Sequence, residues 1–293
     1  MHTAKIAIVT PTLGNLDSLY KLSKNLSYIN EEIKLKWYII LKPEYSNKEQ
    51  VIDLIEKKLN TDIDYEIHLQ TKGGFSQALA EGLSVAKEDI IFQNDDDVII
   101  PIESIKKVLN ILEKNPQIGV VTGRVNGRSP ISLKHTLLYT FNTFLSKTEI
   151  IKDYLITIND VGLCSVNLRK IYNIMYVLAR NKGYFTLCPI GSSMALRKTH
   201  IKEFKIPEIT KRSINNETFI ALTYKKLGLD ILYYPDFNVF TDTGRKTSLS
   251  RPKNKGLNVL EIYLLPIYVR ESGYDINLTK LIRLKEYLQR SPN

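Results

Sequence analysis

The chain has 293 residues, of which 43% are hydrophobic and 25% charged, with a formal net charge of +10 at pH 7. This balance predicts one large α/β domain, with or without a helical appendage. Neither an apolar run of about 18 residues, nor a signal-peptide pattern, nor a disulfide framework is present (the two cysteines are Cys164 and Cys188), so we expect a cytoplasmic protein.

The first half of the chain alternates apolar strand-like runs with helical patterns, which is typical of a mostly parallel sheet with helices on its faces. Residues 5–10 are a short, nearly continuous apolar run, as expected for a buried parallel strand, and further strands are predicted at 37–41, 65–69, 89–93 and 118–122. The predicted helices between them have apolar residues three and four positions apart; they begin near Leu16, Lys48, Ser76 and Pro101. Pro101 is expected at the first helical position, where its missing N–H costs nothing.

The second half is less regular. Apolar residues at helical spacing predict a helical insertion over about 135–182. Strands are expected at 184–188, 192–196, 230–234 and 237–240, and a helix at 216–227. A basic loop over 243–256 and a helical segment over 257–293 complete the prediction.

Three consecutive aspartates, Asp95, Asp96 and Asp97, follow the fourth predicted strand. Open α/β sheets bind their ligands at the carboxyl ends of such strands. Adjacent carboxylates repel one another, and Mg²⁺ or Mn²⁺ offsets this repulsion because both ions prefer carboxylate oxygens and also bind phosphates. In an extended segment Asp95 and Asp97 would point to one side. A solvated acidic turn before the next helix is the alternative, but the apolar residues on both sides of the run disfavour it.

The segment Lys72-Gly73-Gly74 precedes the third predicted helix. Glycines let a backbone approach a ligand closely, and a helix start offers free N–H groups to negative charge. A simple strand-to-helix turn has the same composition, so this segment alone does not predict a binding site.

Five segments taken together are more specific. They are Lys5-Ile6-Ala7-Ile8-Val9-Thr10-Pro11-Thr12, Gly74-Phe75-Ser76-Gln77-Ala78 through Gly82-Leu83, Ile90 through the aspartates to Val98, Gly191-Ser192-Ser193-Met194-Ala195-Leu196-Arg197, and Asn216-Glu217 followed by Lys226-Leu227-Gly228 and Tyr233-Tyr234-Pro235. In this order they resemble the inverting glycosyltransferases of family 2, and the resemblance covers most of residues 5–242.

The resemblance implies the GT-A fold, an α/β architecture with a Rossmann-like, mostly parallel central sheet flanked by helices. The expected GT-A domain covers 1–256. It comprises a nucleotide-sugar-binding half at 1–125, the helical insertion at about 135–182, and an acceptor and catalytic half at 184–256. A C-terminal helical extension at 257–293 follows it.

The resemblance also implies roles for individual residues. The expected reaction moves a sugar from a UDP-, GDP- or dTDP-linked donor to an acceptor hydroxyl with inversion, assisted by Mn²⁺ or Mg²⁺. Glu217 falls at the position of the catalytic base. The other implied positions are Pro11, Thr12, Glu44, Lys72, Gly73, Gly74, Asp95, Asp96, Arg245 and Lys246 for the donor, Gly191, Ser192 and Asn216 for the acceptor, and Asp95, Asp97 and Asp242 for the metal.

Three positions depart from the family pattern. Lys42-Pro43-Glu44 follows the second strand where the family has an aspartate, so only Glu44 remains as a contact to the base or ribose. The base position holds Glu217 instead of an aspartate. Asp242 stands where many members carry a metal-binding histidine, and a turn residue beside Gly244 explains it equally well.

Other functions and partners remain open from the sequence. A sugar-1-phosphate nucleotidyltransferase is disfavoured because Pro11-Thr12-Leu13-Gly14-Asn15 carries no basic residue. A non-catalytic binding protein with the same fold stays an alternative, which gains support from the altered base position. The positive charge fits a phosphate-bearing donor, an anionic membrane surface or simple solubility. We expect no nucleic-acid partner, because no nucleic-acid-binding motif accompanies the charge. The acceptor (glycan, lipid-linked or protein), peripheral contact with the inner membrane face and a homo-oligomer stay open.

Overall fold

The structure is a computed structural model. It describes residues 4–42, 47–59, 62–71, 73–126, 148–151, 154–159, 162–167, 184–186, 189, 191–198, 201, 204, 206 and 216–241. Within these ranges, no helix is both long and apolar enough to cross a membrane.

The first part of the chain alternates strands and helices, as the sequence predicts. The elements are β1 (Ile6–Thr12), α1 (Leu16–Glu32), β2 (Leu35–Leu41), α2 (Lys48–Lys58), β3 (Asp64–Leu69), α3 (Phe75–Val85), β4 (Ile90–Gln93), β5 (Val98–Ile99), α4 (Ile102–Lys114) and β6 (Ile118–Asn126). The first two helices begin after Asn15 and Asn47, whose side-chain oxygens accept hydrogen bonds from Ser18 N and Glu49 N.

The described residues of the second part contribute further strands and one helix. They are β7 (Thr148–Ile151), β8 (Tyr154–Asn159), β9 (Gly162–Asn167), β10 (Tyr184–Phe185), β11 (Met194–Arg197) after a 3₁₀ turn (Gly191–Ser193), α5 (Asn216–Lys226) and β12 (Asp230–Thr241).

A nine-stranded, mostly parallel sheet forms the centre of the molecule. Its order is β10-β12-β6-β11-β4-β1-β2-β3, and β5 pairs with β12. Strands β3, β2, β1 and β4 are parallel neighbours, whereas β11 runs antiparallel between β4 and β6. The carboxyl ends of β1, β2 and β4 therefore meet at one edge of the sheet.

The two faces of the sheet carry separate hydrophobic clusters. One cluster packs α1, α2 and α4 against the sheet, with the α1 residues Leu19, Leu22, Leu26 and Ile29 fully buried. The other cluster packs α3 and α5 against the opposite face, where Val9, Ile91 and Met194 point. Burying each of these large side chains contributes about 1.5–3 kcal/mol, so both faces fix the carboxyl edge firmly.

Several predicted elements differ from those observed. Pro101 is the residue before α4 and not its first residue, with an extended backbone (ψ 140°). A proline fits there because the position needs no N–H donor within the helix. Residues 230–240 form one strand and not two, since β12 continues past Pro235. The pairing of β12 with β6 is irregular between Tyr233 and Asn238, so the N–H that proline lacks is not needed for a hydrogen bond between the strands.

The described part of the expected helical insertion (148–151, 154–159 and 162–167) is a three-stranded antiparallel sheet in the order β7-β8-β9. Its strands are rich in β-branched residues, as in Tyr154-Leu155-Ile156-Thr157-Ile158, and such residues favour extended backbone. The two segments with helical spacing, 137–145 and 171–178, lie outside the described residues. So do the basic loop and the C-terminal extension, and the predicted domain boundaries therefore stay predictions.

Candidate active site

The three aspartates form a tight turn at the carboxyl edge and not an extended segment. Val98 N donates to Asp95 O (3.1 Å), and the Asn94 side chain donates to Asp95 O (3.0 Å) and Val98 O (2.9 Å). The extended segment on which the alternation of Asp95 and Asp97 depends is therefore not formed, because the Asn94 side chain closes a turn. No separate role was predicted for Asn94, although asparagine commonly hydrogen-bonds the backbone of its own turn.

The end of β1 holds the middle carboxylate of this turn. Thr12 Oγ1 donates to Asp96 Oδ2 (2.7 Å) and accepts a hydrogen bond from Gly14 N (3.1 Å). Pro11 is part of β1, opposite Ile40, although the sequence placed the end of the strand before it. Thr12 and Asp96, two predicted donor contacts that are far apart in the sequence, are thus in direct contact at the carboxyl edge of the sheet.

The 3₁₀ turn before β11 holds the first carboxylate. Ser192 Oγ donates to Asp95 Oδ2 (2.8 Å), and Ser192 is only 6% exposed. A hydrogen bond to a charged acceptor is shorter and stronger than a neutral one, so it fixes one oxygen of Asp95 in place.

Glu217 lies against the same 3₁₀ turn, in the first turn of α5. A Cβ atom added to Gly191 would come within 2.1 Å of Glu217 Oε1 and 2.9 Å of its Cδ. Only glycine leaves room for this carboxylate. Gly191 and Ser192 are consecutive, so the predicted base and the acidic turn contact two adjacent residues.

Further along α5, Tyr224 fixes this helix to the sheet. Its hydroxyl donates to Arg197 O on β11 (2.8 Å), and its side chain is fully buried. Burial raises the pKa of the Tyr224 hydroxyl, which therefore stays a neutral donor. Glu217 and Tyr224 are seven residues apart, about two helical turns, so both side chains lie on the side of α5 that faces the sheet.

The third carboxylate, Asp97, is half-buried and has no hydrogen bond or ion pair to another described residue. Such a carboxylate remains available to an external cation or hydroxyl. Among the described residues, no group of three histidine, cysteine, aspartate or glutamate side chains is arranged to hold a metal ion. Carboxylates of the acidic turn would therefore need ligands from elsewhere to complete a metal site.

The glycine-led segment before α3 lies at the same carboxyl edge. Gly74 has a φ of 95°, which favours glycine, and no side chain caps the helix that follows. The loop is held by Gln70 Nε2, which donates to Gly74 O (2.6 Å), and by Thr71, whose N and Oγ1 donate to the Glu81 carboxylate.

Lys42 extends from the end of β2 toward this loop. A Cβ atom on Gly73 would lie 3.7 Å from Lys42 Nζ. Lys42 was not among the predicted site residues, although a charged residue directly after a buried strand was the signal that could have identified it. It adds a positive charge beside the uncapped start of α3.

Several predicted site residues cannot be placed. The backbone of Asn216 begins α5, but its side chain is not described. The remaining ones lie outside the described residues: Glu44, Lys72, Asp242, Arg245 and Lys246.

Residues 5–255 match the family described as Glycosyltransferase like family 2. No curated protein matches the sequence. Both results concern sequence, whereas the following similarities concern the fold.

Three solved structures share the fold at low sequence identity. The mannosyltransferase PcManGT from Pyrobaculum calidifontis, in complex with GDP-Man and Mn²⁺, has a TM-score of 0.54 and 13% identity over 92% of this chain and 65% of that chain. TarS from S. aureus has a TM-score of 0.51 and 15% identity over 98% of this chain and 43% of that one. Glucosyl-3-phosphoglycerate synthase from Mycobacterium tuberculosis, with Mn²⁺, UDP and glucosyl-3-phosphoglycerate, has a TM-score of 0.51 and 13% identity over 89% and 78%.

These similarities confirm the predicted GT-A fold, a mostly parallel sheet flanked by helices. The chain spans 65% of the length of the mannosyltransferase and 43% of that of TarS.

Proposed function

The chain belongs to glycosyltransferase family 2, and on that premise we propose that it transfers a sugar from a nucleotide-diphosphate sugar to an acceptor hydroxyl. The transfer inverts the anomeric carbon and is assisted by Mn²⁺ or Mg²⁺. The GDP-Man, UDP and Mn²⁺ in the complexes of its structural relatives support a donor and a cation of this kind.

One observation carries the proposal. The 3₁₀ turn contacts Glu217 through Gly191 and the acidic turn through Ser192. A single-displacement transfer needs a base on the acceptor side of the anomeric carbon and a stabilised leaving group on the other. Glu217 and Asp95 contact two adjacent residues, which supports these two roles.

Glu217 is the proposed base. Its carboxylate takes the proton of the acceptor hydroxyl while that oxygen forms a bond to the anomeric carbon, and the bond from this carbon to the diphosphate oxygen breaks. The sugar leaves on the acceptor, the nucleoside diphosphate leaves with the electron pair, and one displacement gives inversion.

Asp95 and Asp97 are the proposed ligands of the cation. Both provide carboxylate oxygens, which Mg²⁺ and Mn²⁺ prefer, and Asp97 has no other hydrogen-bond or ion-pair partner among the described residues. When bound, a divalent cation neutralises charge that develops on the departing diphosphate. Asp242, which lies outside the described residues, is the third proposed ligand.

The remaining predicted contacts complete the proposal. Thr12, Gly73 and Gly74 line the donor side, together with Pro11. Arg245 and Lys246 are proposed to approach the diphosphate, Glu44 is proposed to contact the base or ribose, and Lys72 is proposed as a further donor contact. The nucleotide is UDP, GDP or dTDP. The acceptor class, contact with a membrane surface and self-association stay predictions.

A thermal-shift screen of UDP, GDP and dTDP, each with and without Mn²⁺ or Mg²⁺, tests donor binding. A ligand at 100 times its Kd adds about 2.7 kcal/mol to stability, enough to identify the nucleotide. A screen in which no nucleotide raises the melting temperature would contradict the proposal.

Three variants then separate binding from transfer. Asp97→Asn is expected to lose the cation-dependent shift, whereas Glu217→Gln should keep it and lose transfer by about 10²–10⁴-fold. Asp53→Asn, an exposed residue paired with Lys57 on α2, is the matched control and should behave as wild type. Equal transfer by Glu217→Gln and wild type would rule out the proposed base, and donor binding without any transfer would point to a non-catalytic binding protein.

A further inference from the structure

Gln93, the last residue of β4, has a buried side chain with no role in the packing described above or in the proposed chemistry. It is 1% exposed, and neither the oxygen nor the nitrogen of its side-chain amide has a hydrogen bond to another described residue. Buried polar groups in native proteins are almost always hydrogen-bonded, so an amide with both atoms unsatisfied calls for a ligand or a water. A methionine of similar length would fill the same space without this cost.

The position of Gln93 places its amide next to the candidate active site. Ile91, two residues earlier on the strand, packs on the face of the sheet that carries α3 and α5, and Gln93 points to the same face. Its neighbours across the sheet are Val9 and Met194, which also lie in that cluster. Met194 directly follows the 3₁₀ turn, and the residue after Gln93 begins the acidic turn.

Glu217 lies on this same face, since α5 packs there and its carboxylate contacts Gly191. The Gln93 side chain is thus on the sheet face that carries the proposed base, two residues before the first aspartate of the acidic turn. The proposed reaction puts the anomeric carbon, and with it the donor's sugar ring, between this base and that turn. A primary amide offers one acceptor and two N–H donors, which suits the hydroxyl groups of a sugar.

We propose that Gln93 is a specificity-determining residue whose amide is completed by hydroxyl groups of the transferred sugar. This inference rests on the proposed function and extends it. A site built to hydrogen-bond a hydroxyl discriminates strongly against ligands that lack it, because its own polar groups are then left unpaired. Gln93 would therefore favour the nucleotide-sugar over the bare nucleotide, at a cost to the stability of the free protein.

Gln93→Met tests this in two measurements. The melting temperature of the ligand-free variant is expected to rise, because the unpaired amide is gone. The affinity for UDP or GDP should stay at its wild-type value, whereas the preference for UDP-glucose over UDP, or for GDP-mannose over GDP, should fall about tenfold, the effect of one to two lost hydrogen bonds.

Gln77→Met is the matched control. Gln77 is also buried, at 5% exposure, but its Nε2 donates to Ile206 O (3.1 Å). The same substitution should therefore lower the melting temperature there, because it leaves a buried carbonyl without its donor.

Each other outcome overturns the inference. A lower melting temperature for Gln93→Met shows that the amide has a structural partner, and a higher one with an unchanged sugar preference shows that it does not contact the sugar. If Gln93→Met does not fold, the same measurements are made on Gln93→Leu. Failure of both variants to fold would show that the Gln93 side chain is required for folding, which overturns the inference. A wild-type protein that binds no nucleotide-sugar refutes the proposed function itself, whereas one that binds it while Gln93→Met keeps the preference refutes only this inference.

Discussion

Gly191 shows how a residue without a side chain determines the geometry of a charged one. The Glu217 carboxylate occupies the space that any Cβ at position 191 would need. We expect Gly191→Ala to displace this carboxylate and to lower kcat about 100-fold, since a misplacement of about 1 Å costs that much. Steady-state kinetics with the donor identified by thermal shift would measure it, and the affinity for the nucleoside diphosphate should not change.

A double-mutant cycle separates this effect from a general disturbance of the turn. If Gly191→Ala acts only through Glu217, it should lower kcat no further in a Glu217→Gln background. A second, independent loss in that background would show that the alanine disturbs the acidic turn instead, through Ser192.

The sequence predicts which candidate residues lie close together better than it predicts their contacts. Thr12, the aspartates, Gly191, Ser192 and Glu217 were all expected at the site, and the structure brings them together. Which hydroxyl holds which carboxylate was not predictable, because Thr12 and Asp96 are 84 residues apart and Ser192 and Asp95 are 97 apart. Such pairs depend on strand register, which local patterns do not encode.

At the scale of elements, β12 and β6 form a contact that constrains the whole second half of the sheet. The register irregularity of β12 lies opposite Gly123, and a Cβ there would come within 1.9 Å of Phe237 O. Gly123 O also accepts a hydrogen bond from Ser193 Oγ (2.9 Å), and Ser193 follows Ser192 in the 3₁₀ turn. The close approach of β12 to Gly123 therefore helps to fix the position of the 3₁₀ turn.

We expect Gly123→Ala to lower the free energy of unfolding by about 3 kcal/mol or more, because the added Cβ meets a backbone oxygen of Phe237, which cannot rotate away. Gly228→Ala is the comparison: its φ of 76° costs alanine about 1–2 kcal/mol, and no atom lies within 4 Å of the added Cβ. Urea unfolding followed by circular dichroism measures both. Equal losses would show that β12 moves away from β6 easily.

The alternating first half was predictable because β1, β2 and β4 are buried on both faces and the helices have one apolar side. For β1, β2 and β4 the predicted and observed bounds differ by at most two residues at either end. The two-residue strand β5 was not predicted, since Val98 and Ile99 are too few to show a period and are held by pairing with Phe240 and Thr241. The strands β7, β8 and β9 were not predicted, because the apolar residues on both sides of them, at 137–145 and 171–178, have helical spacing.

At the scale of the whole molecule, the charge of +10 is expected to act on the donor more than on the acceptor. The diphosphate carries negative charge, whereas an acceptor hydroxyl is neutral, so a positive field raises the association rate of the donor selectively. The Debye length shortens from about 30 Å at 0.01 M salt to about 3 Å at 1 M. Over this range we expect kcat/KM for the donor to fall while the KM of a neutral acceptor stays constant.

Matched charge variants locate the part of the molecule that produces this field. Arg245→Gln/Lys246→Gln should flatten the salt dependence, because these residues belong to the basic loop proposed to approach the diphosphate. Lys34→Gln/Lys114→Gln removes the same charge at the opposite edge of the sheet, where both exposed lysines precede the amino ends of β2 and β6, and should leave the slope unchanged. If both pairs of substitutions flatten the salt dependence equally, net charge alone produces the effect. If the KM of the acceptor depends on salt as steeply as kcat/KM for the donor, the charge does not distinguish the two substrates.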